Sequence, residues 1–209
     1  MRCISVCMFL LSAFRLFPQN ARTKPNAVVE YRTGNYEKAV RICQEEIAGN
    51  ANNIDAHVVA AWSLIRLGRY EEAHIYATAG RNISRYDPRI IEILGETGYY
   101  QGRNQDALRY FQEYVNYAPE GASIDQVYFF MGELYIRLGK FHSADIALST
   151  AVHWQPKNAE WLARLAYARE SAGDYANALL AYEKTLSINP QMTDARRGFE
   201  RARKALGAR

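Results

Sequence analysis

Apolar and polar residues along this chain form a block that returns at nearly constant spacing. One copy runs from Trp62 to Ala73 and reads W-S-L-I-R-L-G-R-Y-E-E-A. The glycine of this block recurs at positions 34, 68, 102, 139 and 173, in steps of 34, 34, 37 and 34 residues. A period of this length predicts stacked units, each made of two antiparallel helices joined by a tight turn.

Each residue type in the block has a packing role. The glycine lies where the first helix ends, because a left-handed backbone conformation costs it no Cβ clash. The aromatic residue two positions later, Tyr70 in the second copy, begins the second helix and packs back on the first. Ala73, three residues further on, leaves room for the two helices to approach closely. Since one helix pair cannot cover its own apolar stripe, neighbouring pairs must stack into an all-α solenoid.

Aligned on these glycines, the sequence resembles the tetratricopeptide repeat family from about residue 27 to residue 206. The matches are Leu94-Gly95, Met131-Gly132 with Tyr135, Leu165-Ala166, Phe111, Leu148, Tyr182, and the closing prolines Pro119, Pro156 and Pro190. The third unit departs from the family pattern at Asn104, Gly98 and Arg85. The resemblance implies a right-handed superhelix of five repeats, at about 27–53, 54–87, 88–124, 125–158 and 159–192, with a capping helix at 193–206.

Helix starts are predicted from local capping signals. Asn53 is a typical N-cap residue, and Asp87 precedes a proline at the first helical position. Ser123 with Gln126 predicts a capping box at the start of the fourth repeat, after three additional residues. The last helix, from Thr193 to Leu206, has small and apolar residues on one face, as a cap over the final repeat requires.

The family is mostly a protein-binding one, and its concave groove is lined by residues of the first helix of each repeat. Carried over position by position, the predicted groove residues are Tyr31, Arg32, Trp62, Arg66, Glu96, Tyr99, Tyr100, Glu133, Arg137, Arg164 and Tyr167. They combine aromatic side chains with both signs of charge. The branch of the family that binds chaperone tails holds a terminal carboxylate with asparagine and lysine. The equivalent positions are Val28, Trp62, Glu96, Glu133 and Tyr167, so that role is not expected.

The two ends of the chain differ from the repeats. In residues 1–21, Arg2 precedes a mostly apolar run from Ile4 to Phe14, which predicts a signal peptide or an apolar N-terminal segment. The run is shorter than the roughly 20 residues that span a membrane. Residues 22–26 read as a linker. Export would place the protein in the periplasm or at the cell envelope, with membrane association through this segment. Otherwise the segment packs on the first repeat of a cytoplasmic protein.

The sequence contains no pattern typical of an enzyme, a cofactor site or a metal site. Its four histidines are scattered, and Cys43 takes the place of a large packing residue. The predicted function is therefore a non-catalytic scaffold or adaptor that binds another protein or peptide. Self-assembly, with the groove filled by another copy, is the alternative. The formal net charge of +4 comes from the ends, so nucleic-acid binding through the arginines at 196–204 is not expected.

Overall fold

The computed structural model describes residues 26–208. The predicted export segment at 1–21 and most of the predicted linker at 22–26 lie outside these residues. Within them the chain forms eleven α-helices and no strand. They are α1 (Ala27–Arg32), α2 (Tyr36–Gly49), α3 (Ile54–Arg66), α4 (Tyr70–Ile83), α5 (Pro88–Tyr100), α6 (Asn104–Tyr117), α7 (Ile124–Arg137), α8 (Phe141–Trp154), α9 (Ala159–Ser171), α10 (Tyr175–Ile188) and α11 (Thr193–Gly207).

The helices pack in the order in which they occur along the chain. Each one contacts its sequence neighbours, and each odd-numbered helix also contacts the next odd-numbered one. The odd-numbered helices therefore form one continuous face, and the even-numbered helices pack behind them. This arrangement confirms the predicted all-α solenoid. No helix between residues 26 and 208 combines the length and the apolar character needed to cross a lipid bilayer.

Glycines serve two different purposes in the repeats. The five glycines at the turns have φ between 68° and 83°, and a Cβ added to any of Gly34, Gly68, Gly102 or Gly139 would meet no atom within 4 Å. These residues are therefore needed for backbone conformation and not for space. Inside helices the reason is reversed. A Cβ on Gly132 would collide with the side chain of Leu148, so this glycine allows α7 and α8 to approach.

Two predicted caps are present and the predicted capping box is wrong. The Asn53 side chain accepts a hydrogen bond from Ala56 N at 3.2 Å, and Asp87 Oδ1 accepts one from Arg89 N at 2.9 Å. Ser123 precedes α7, but its side chain makes no capping hydrogen bond. Its backbone N–H donates to Tyr114 Oη at 3.2 Å, because the longer loop before α7 folds back on α6.

The core consists of linked clusters between successive helix pairs. Cys43 is fully buried, as predicted, and His57 is 5% exposed with its Nε2 3.1 Å from the carbonyl oxygen of Ala51. On α11, Ala195 and Ala202 are fully buried while Leu206 is 42% exposed. The capping helix therefore covers the last repeat with the first three of its turns and leaves its end in solvent.

Candidate partner-binding groove

The face formed by the odd-numbered helices, called the groove below, contains two cavities. The acidic cavity, at the N-terminal end, has a volume of about 480 Å³. It is lined by Tyr31, Trp62, Ile65, Arg66, Glu92, Glu96, Tyr100, Ser123 and Gln126. The C-terminal cavity has a volume of about 500 Å³. It is lined by Glu160, Ala163, Arg164, Tyr167, Tyr182, Met192, Asp194, Ala195, Arg197 and Arg201.

The predicted groove residues fall into four groups. Five line the acidic cavity, namely Tyr31, Trp62, Arg66, Glu96 and Tyr100. Two line the C-terminal cavity, Arg164 and Tyr167. Three line neither cavity but contact neighbouring repeats: Arg137 lies over the Tyr99 ring, and Glu133 binds Arg164. The last, Arg32, is exposed at the end of α1 and also lines neither cavity. The structure thus brings together residues from α1, α3 and α5 at one site and residues from α9 at another.

Stacked aromatic rings form the walls of the acidic cavity. Tyr31 on α1 stacks on Trp62 on α3, with ring centroids 6.0 Å apart and an angle of 29° between the ring planes. Tyr100 stacks on Tyr70 at 4.4 Å and 12°. Ring pairs at these separations restrain one another beyond the effect of burial alone. The aromatic walls of the cavity are therefore restrained by contacts with neighbouring rings.

Two carboxylates of α5, Glu92 and Glu96, lie one helical turn apart in this cavity. Both side chains are half-buried, and neither forms an ion pair with any residue of the described chain. Burial raises the pKa of Glu92 to about 7, against a smaller lowering by the hydrogen bond from Ser123. Burial also raises the pKa of Glu96 to about 7, and the neighbouring Glu92 adds to this. Near neutral pH the two carboxyl groups in this cavity are therefore only partly ionised.

The single arginine of the acidic cavity is directed elsewhere. Arg66 Nε donates a hydrogen bond to Tyr36 Oη at 3.3 Å, and the guanidinium carbon lies 5.8 Å from the centroid of the Tyr36 ring. Arg66 lowers the pKa of Glu96, but less than burial and Glu92 raise it. The acidic cavity consequently contains two carboxylates and one cation that is not bonded to either.

Arginine–carboxylate pairs between successive repeats dominate the rest of the groove. Arg164 donates from Nε and Nη2 to the two oxygens of Glu133, at 2.6 and 3.0 Å. Arg201 makes the same two-pronged contact with Glu170, at 2.6 and 2.9 Å. Arg137 lies over the ring of Tyr99, with its guanidinium carbon 3.7 Å from the centroid. Charged groups here bond to one another across the repeats.

Several cavity residues are absent from the sequence prediction. Glu92 is one turn before the predicted Glu96, so the i, i+4 spacing on α5 was an available signal. Ser123, at the end of the longer loop before α7, and Gln126, in the first turn of α7, also line the acidic cavity. In the C-terminal cavity, Arg197 and Arg201 come from α11. The sequence analysis treats that helix only as a cap, so its contribution to the groove is new.

Other chemically active groups are inert in their positions. Burial, assisted by the charge of Glu46, raises the pKa of the Cys43 thiol to about 12, so the thiolate is not available near neutral pH. His74 Nδ1 lies 3.1 Å from Thr97 Oγ1 in a contact between α4 and α5. Across residues 26–208, histidine, cysteine and acidic side chains form no group of three that could hold a metal ion.

Comparisons with known proteins agree with this description. A tetratricopeptide repeat family model matches residues 131–193, which cover most of the fourth and fifth helix pairs. The BBSome complex member BBS4 homolog of Drosophila melanogaster is 26% identical over 143 residues. That similarity covers 65% of this chain but 29% of the fly protein, so the chain spans less than a third of its relative's length.

Solved structures share the fold at low sequence identity. YrrB, a TPR protein with an unusual peptide-binding site, has a TM-score of 0.70 at 16% identity, over 83% of this chain and 88% of that one. MamA has a TM-score of 0.70 at 15% identity, over 80% of this chain and 96% of that one. At this level of identity the likeness concerns the fold alone. The tetratricopeptide repeat model thus matches residues 131–193, and the left-handed turn glycines recur in the earlier helix pairs of the same fold.

Proposed function

We propose that this protein is a non-catalytic scaffold or adaptor that binds a peptide segment of a partner protein in its groove. The observation that supports this is the pair of cavities on one face, each walled by aromatic and charged side chains. Aromatic and arginine side chains supply much of the binding energy at protein interfaces. Solenoids use their extended inner surface for such contacts. The peptide-binding site of YrrB favours a peptide as the ligand form.

The cavity chemistry also argues against capture of a C-terminal carboxylate. Glu96 and Glu133 occupy two of the positions where the chaperone-binding branch needs asparagine or lysine. A terminal carboxylate in the acidic cavity would face Glu92 and Glu96, and like charges at that distance repel. The part of the ligand that enters the acidic cavity is therefore an internal segment or a segment that carries a cation.

Location and assembly belong to the same proposal. The positive start and apolar run of residues 1–21 favour export to the periplasm or cell envelope, with the scaffold acting on partners there. Self-assembly through another copy's N-terminal segment remains the competing hypothesis. It predicts that the groove is occupied by the same chain and not by a different protein.

Site-specific photo-crosslinking in the cell of origin tests the proposal. A benzoyl-phenylalanine replaces Tyr100 or Tyr167 in the groove, and Ile75 or Ile146 on the even-numbered helices serves as the control. All four side chains are exposed, at 44%, 36%, 66% and 71%. We expect a crosslinked partner from the groove positions and not from the control positions. Equal capture from Ile75 and Ile146 would move the binding site to the opposite face, and a crosslink at twice the chain's own mass would favour self-assembly.

A further inference from the structure

The inference concerns the ligand of the acidic cavity and rests on the proposed function. Glu92 and Glu96 are half-buried, lie one turn apart on α5, and have no ion-pair partner between residues 26 and 208. Half-burying two carboxylates without pairing them costs free energy in the unliganded protein. A cation that arrives with a ligand offsets this cost, because it forms ion pairs with the two carboxylates in a partly desolvated site.

The next repeat shows which cation fits this position. Glu96 and Glu133 are equivalent, since each lies six residues before the turn glycine of its repeat. Glu133 is bonded through both oxygens by the guanidinium of Arg164, which comes from the following repeat. The residue equivalent to Arg164 one repeat earlier is Phe130, and its ring stacks on Phe111 in the core with centroids 5.4 Å apart. Among residues 26–208, an arginine of the following repeat therefore binds Glu133 and none binds Glu96.

The walls of the cavity match the same chemistry. Tyr31, Trp62 and Tyr100 line it, and aromatic faces attract guanidinium and ammonium groups. One repeat along, the guanidinium carbon of Arg164 lies 5.2 Å from the centroid of the Tyr167 ring, so the groove already pairs a cation with both a carboxylate and a ring. The volume of about 480 Å³ exceeds one side chain and leaves room for the backbone that bears it.

We propose that the acidic cavity binds an arginine or lysine side chain of a partner's peptide segment, with the cation facing Glu92 and Glu96 and the aromatic walls beside it. The partner thus takes the role that Arg164 plays for Glu133. A basic anchor at the N-terminal end of the groove also sets where along the solenoid the bound segment starts. The specificity is for a cation at one position and not for overall charge.

The charges around the two carboxylates determine how binding responds to pH. Arg66 on α3 lowers the pKa of Glu96, whereas Asp125 on α7 raises that of Glu92. Tyr31 on α1, Tyr100 on α5 and Tyr114 on α6 complete the set of titratable neighbours. Since the carboxylates titrate near pH 7, a bound cation is favoured above that pH, and affinity falls as the pH is lowered through it.

Selection of random peptides displayed on phage against the immobilised full-length chain tests the proposal. The selection is run at about pH 8, where both carboxylates are mostly ionised. We expect the recovered peptides to share one arginine or lysine position. Synthetic versions should bind the Glu92→Gln/Glu96→Gln variant at least about tenfold more weakly, because a half-buried charge pair is lost. Binding to the intact chain should weaken by a similar factor at about pH 5.5, whereas binding to the double variant should not change with pH.

The controls separate this proposal from the broader one. Glu45→Gln/Glu183→Gln removes the same charge from exposed positions on α2 and α10, and it should leave peptide affinity unchanged. Thermal unfolding followed by circular dichroism verifies that both double variants are folded.

Peptides that lose affinity with Tyr167→Ala but not with Glu92→Gln/Glu96→Gln would overturn the cation proposal and leave groove binding intact. Failure to select any peptide contradicts both. Selection that succeeds only after Arg22→Ala/Lys24→Ala would assign the cavity to the chain's own segment and not to a partner.

Discussion

The two ends of the groove use the same type of residue for different purposes. In the C-terminal half, Glu133 and Glu170 are each bound by an arginine from the next odd-numbered helix, Arg164 and Arg201. In the N-terminal half, Glu92 and Glu96 are likewise half-buried, but no arginine among residues 26–208 forms an ion pair with them. The first arrangement links repeats and stabilises the solenoid. The second leaves charge unpaired in a cavity with aromatic walls, where it is available to a ligand.

The difference arises from one substitution within a repeating pattern. At the position nine residues before the turn glycine, the fifth repeat has Arg164 and the fourth has Phe130. Phe130 is 5% exposed and contacts Phe111, Tyr99 and Tyr100, so the fourth repeat gains aromatic packing and loses a cation at that position. The exchange therefore replaces an ion pair between repeats with aromatic packing at the equivalent position.

The largest expected effect is on the pH dependence of stability. The folded pKa values of Glu92 and Glu96, about 7, exceed the ordinary value of 4.5, so the folded chain binds these protons more tightly than the unfolded chain. Their contribution is most favourable below about pH 4.5 and is lost as the pH rises through 7. Glu92→Gln/Glu96→Gln should therefore raise the free energy of unfolding at about pH 8 by on the order of 2–3 kcal/mol. Urea unfolding of the full chain at several pH values measures this.

The same titration has a matched control. Glu45→Gln/Glu183→Gln changes the net charge equally at exposed positions and should alter the free energy of unfolding by less than roughly 0.5 kcal/mol at every pH. If both double variants responded alike, general charge repulsion and not the acidic cavity would explain the effect.

The second effect tests the paired half of the groove. Arg164→Met leaves Glu133, whose side chain is 13% exposed, without its cation. We expect Arg164→Met to lower the free energy of unfolding by about 1–2 kcal/mol. This is less than for a fully buried pair, because the Arg164 side chain is 35% exposed. Adding Glu133→Gln to Arg164→Met should recover at least half of the loss, because no unpaired charge remains. Chemical denaturation of the parent chain and the two variants provides the comparison.

Arg66→Met is the counterpart from the unpaired half. Arg66 forms no ion pair with the carboxylates beside it, and its hydrogen bond to Tyr36 is exposed. Its removal should cost less than roughly 0.5 kcal/mol. A loss as large as that of Arg164→Met would show that Arg66 already neutralises the acidic cavity, and the contrast between the two halves would then be absent.

The fold follows from the sequence because one physical requirement repeats. Each turn needs a residue with positive φ, and the turn glycines at period 34 supply it without steric cost. Asn53 and Asp87 cap their helices as predicted because each needs only its own side chain and a nearby backbone N–H. The capping box predicted at Ser123 is wrong because the Ser123 backbone N–H donates to Tyr114 Oη. Tyr114 belongs to the preceding helix and lies outside the local sequence pattern.

The candidate site follows from the sequence only in part. Family positions placed Trp62, Glu96 and Tyr100 on the groove face, and the cavity there includes all three. The family positions do not predict which charged side chains form ion pairs, because these pairs depend on contacts between repeats. The bond from Arg164 to Glu133 spans 31 positions, and the absence of one at Glu96 depends on the burial of Phe130. The two ends of the groove therefore differ in the contacts that one repeat makes with the next, and not in the repeat pattern itself.

A further effect, between those of Arg164→Met and Arg66→Met in size, concerns the junction between the two halves. Arg137 on α7 lies 3.7 Å from the ring centroid of Tyr99 on α5 and donates to the Tyr99 carbonyl oxygen at 3.0 Å. Arg137→Ala should lower the free energy of unfolding by about 1 kcal/mol. A double-mutant cycle with Tyr99→Leu should assign about half of this loss to the contact with the ring. Arg109→Ala is the control, since Arg109 is 68% exposed and its guanidinium lies 5.4 Å from the Tyr110 centroid. Because a cation–ring contact needs no carboxylate, the coupling should persist when the cycle is repeated in a Glu133→Gln background. Coupling that vanished in that background would instead mean that Arg137 acts through Glu133 and that the paired half of the groove extends to α5.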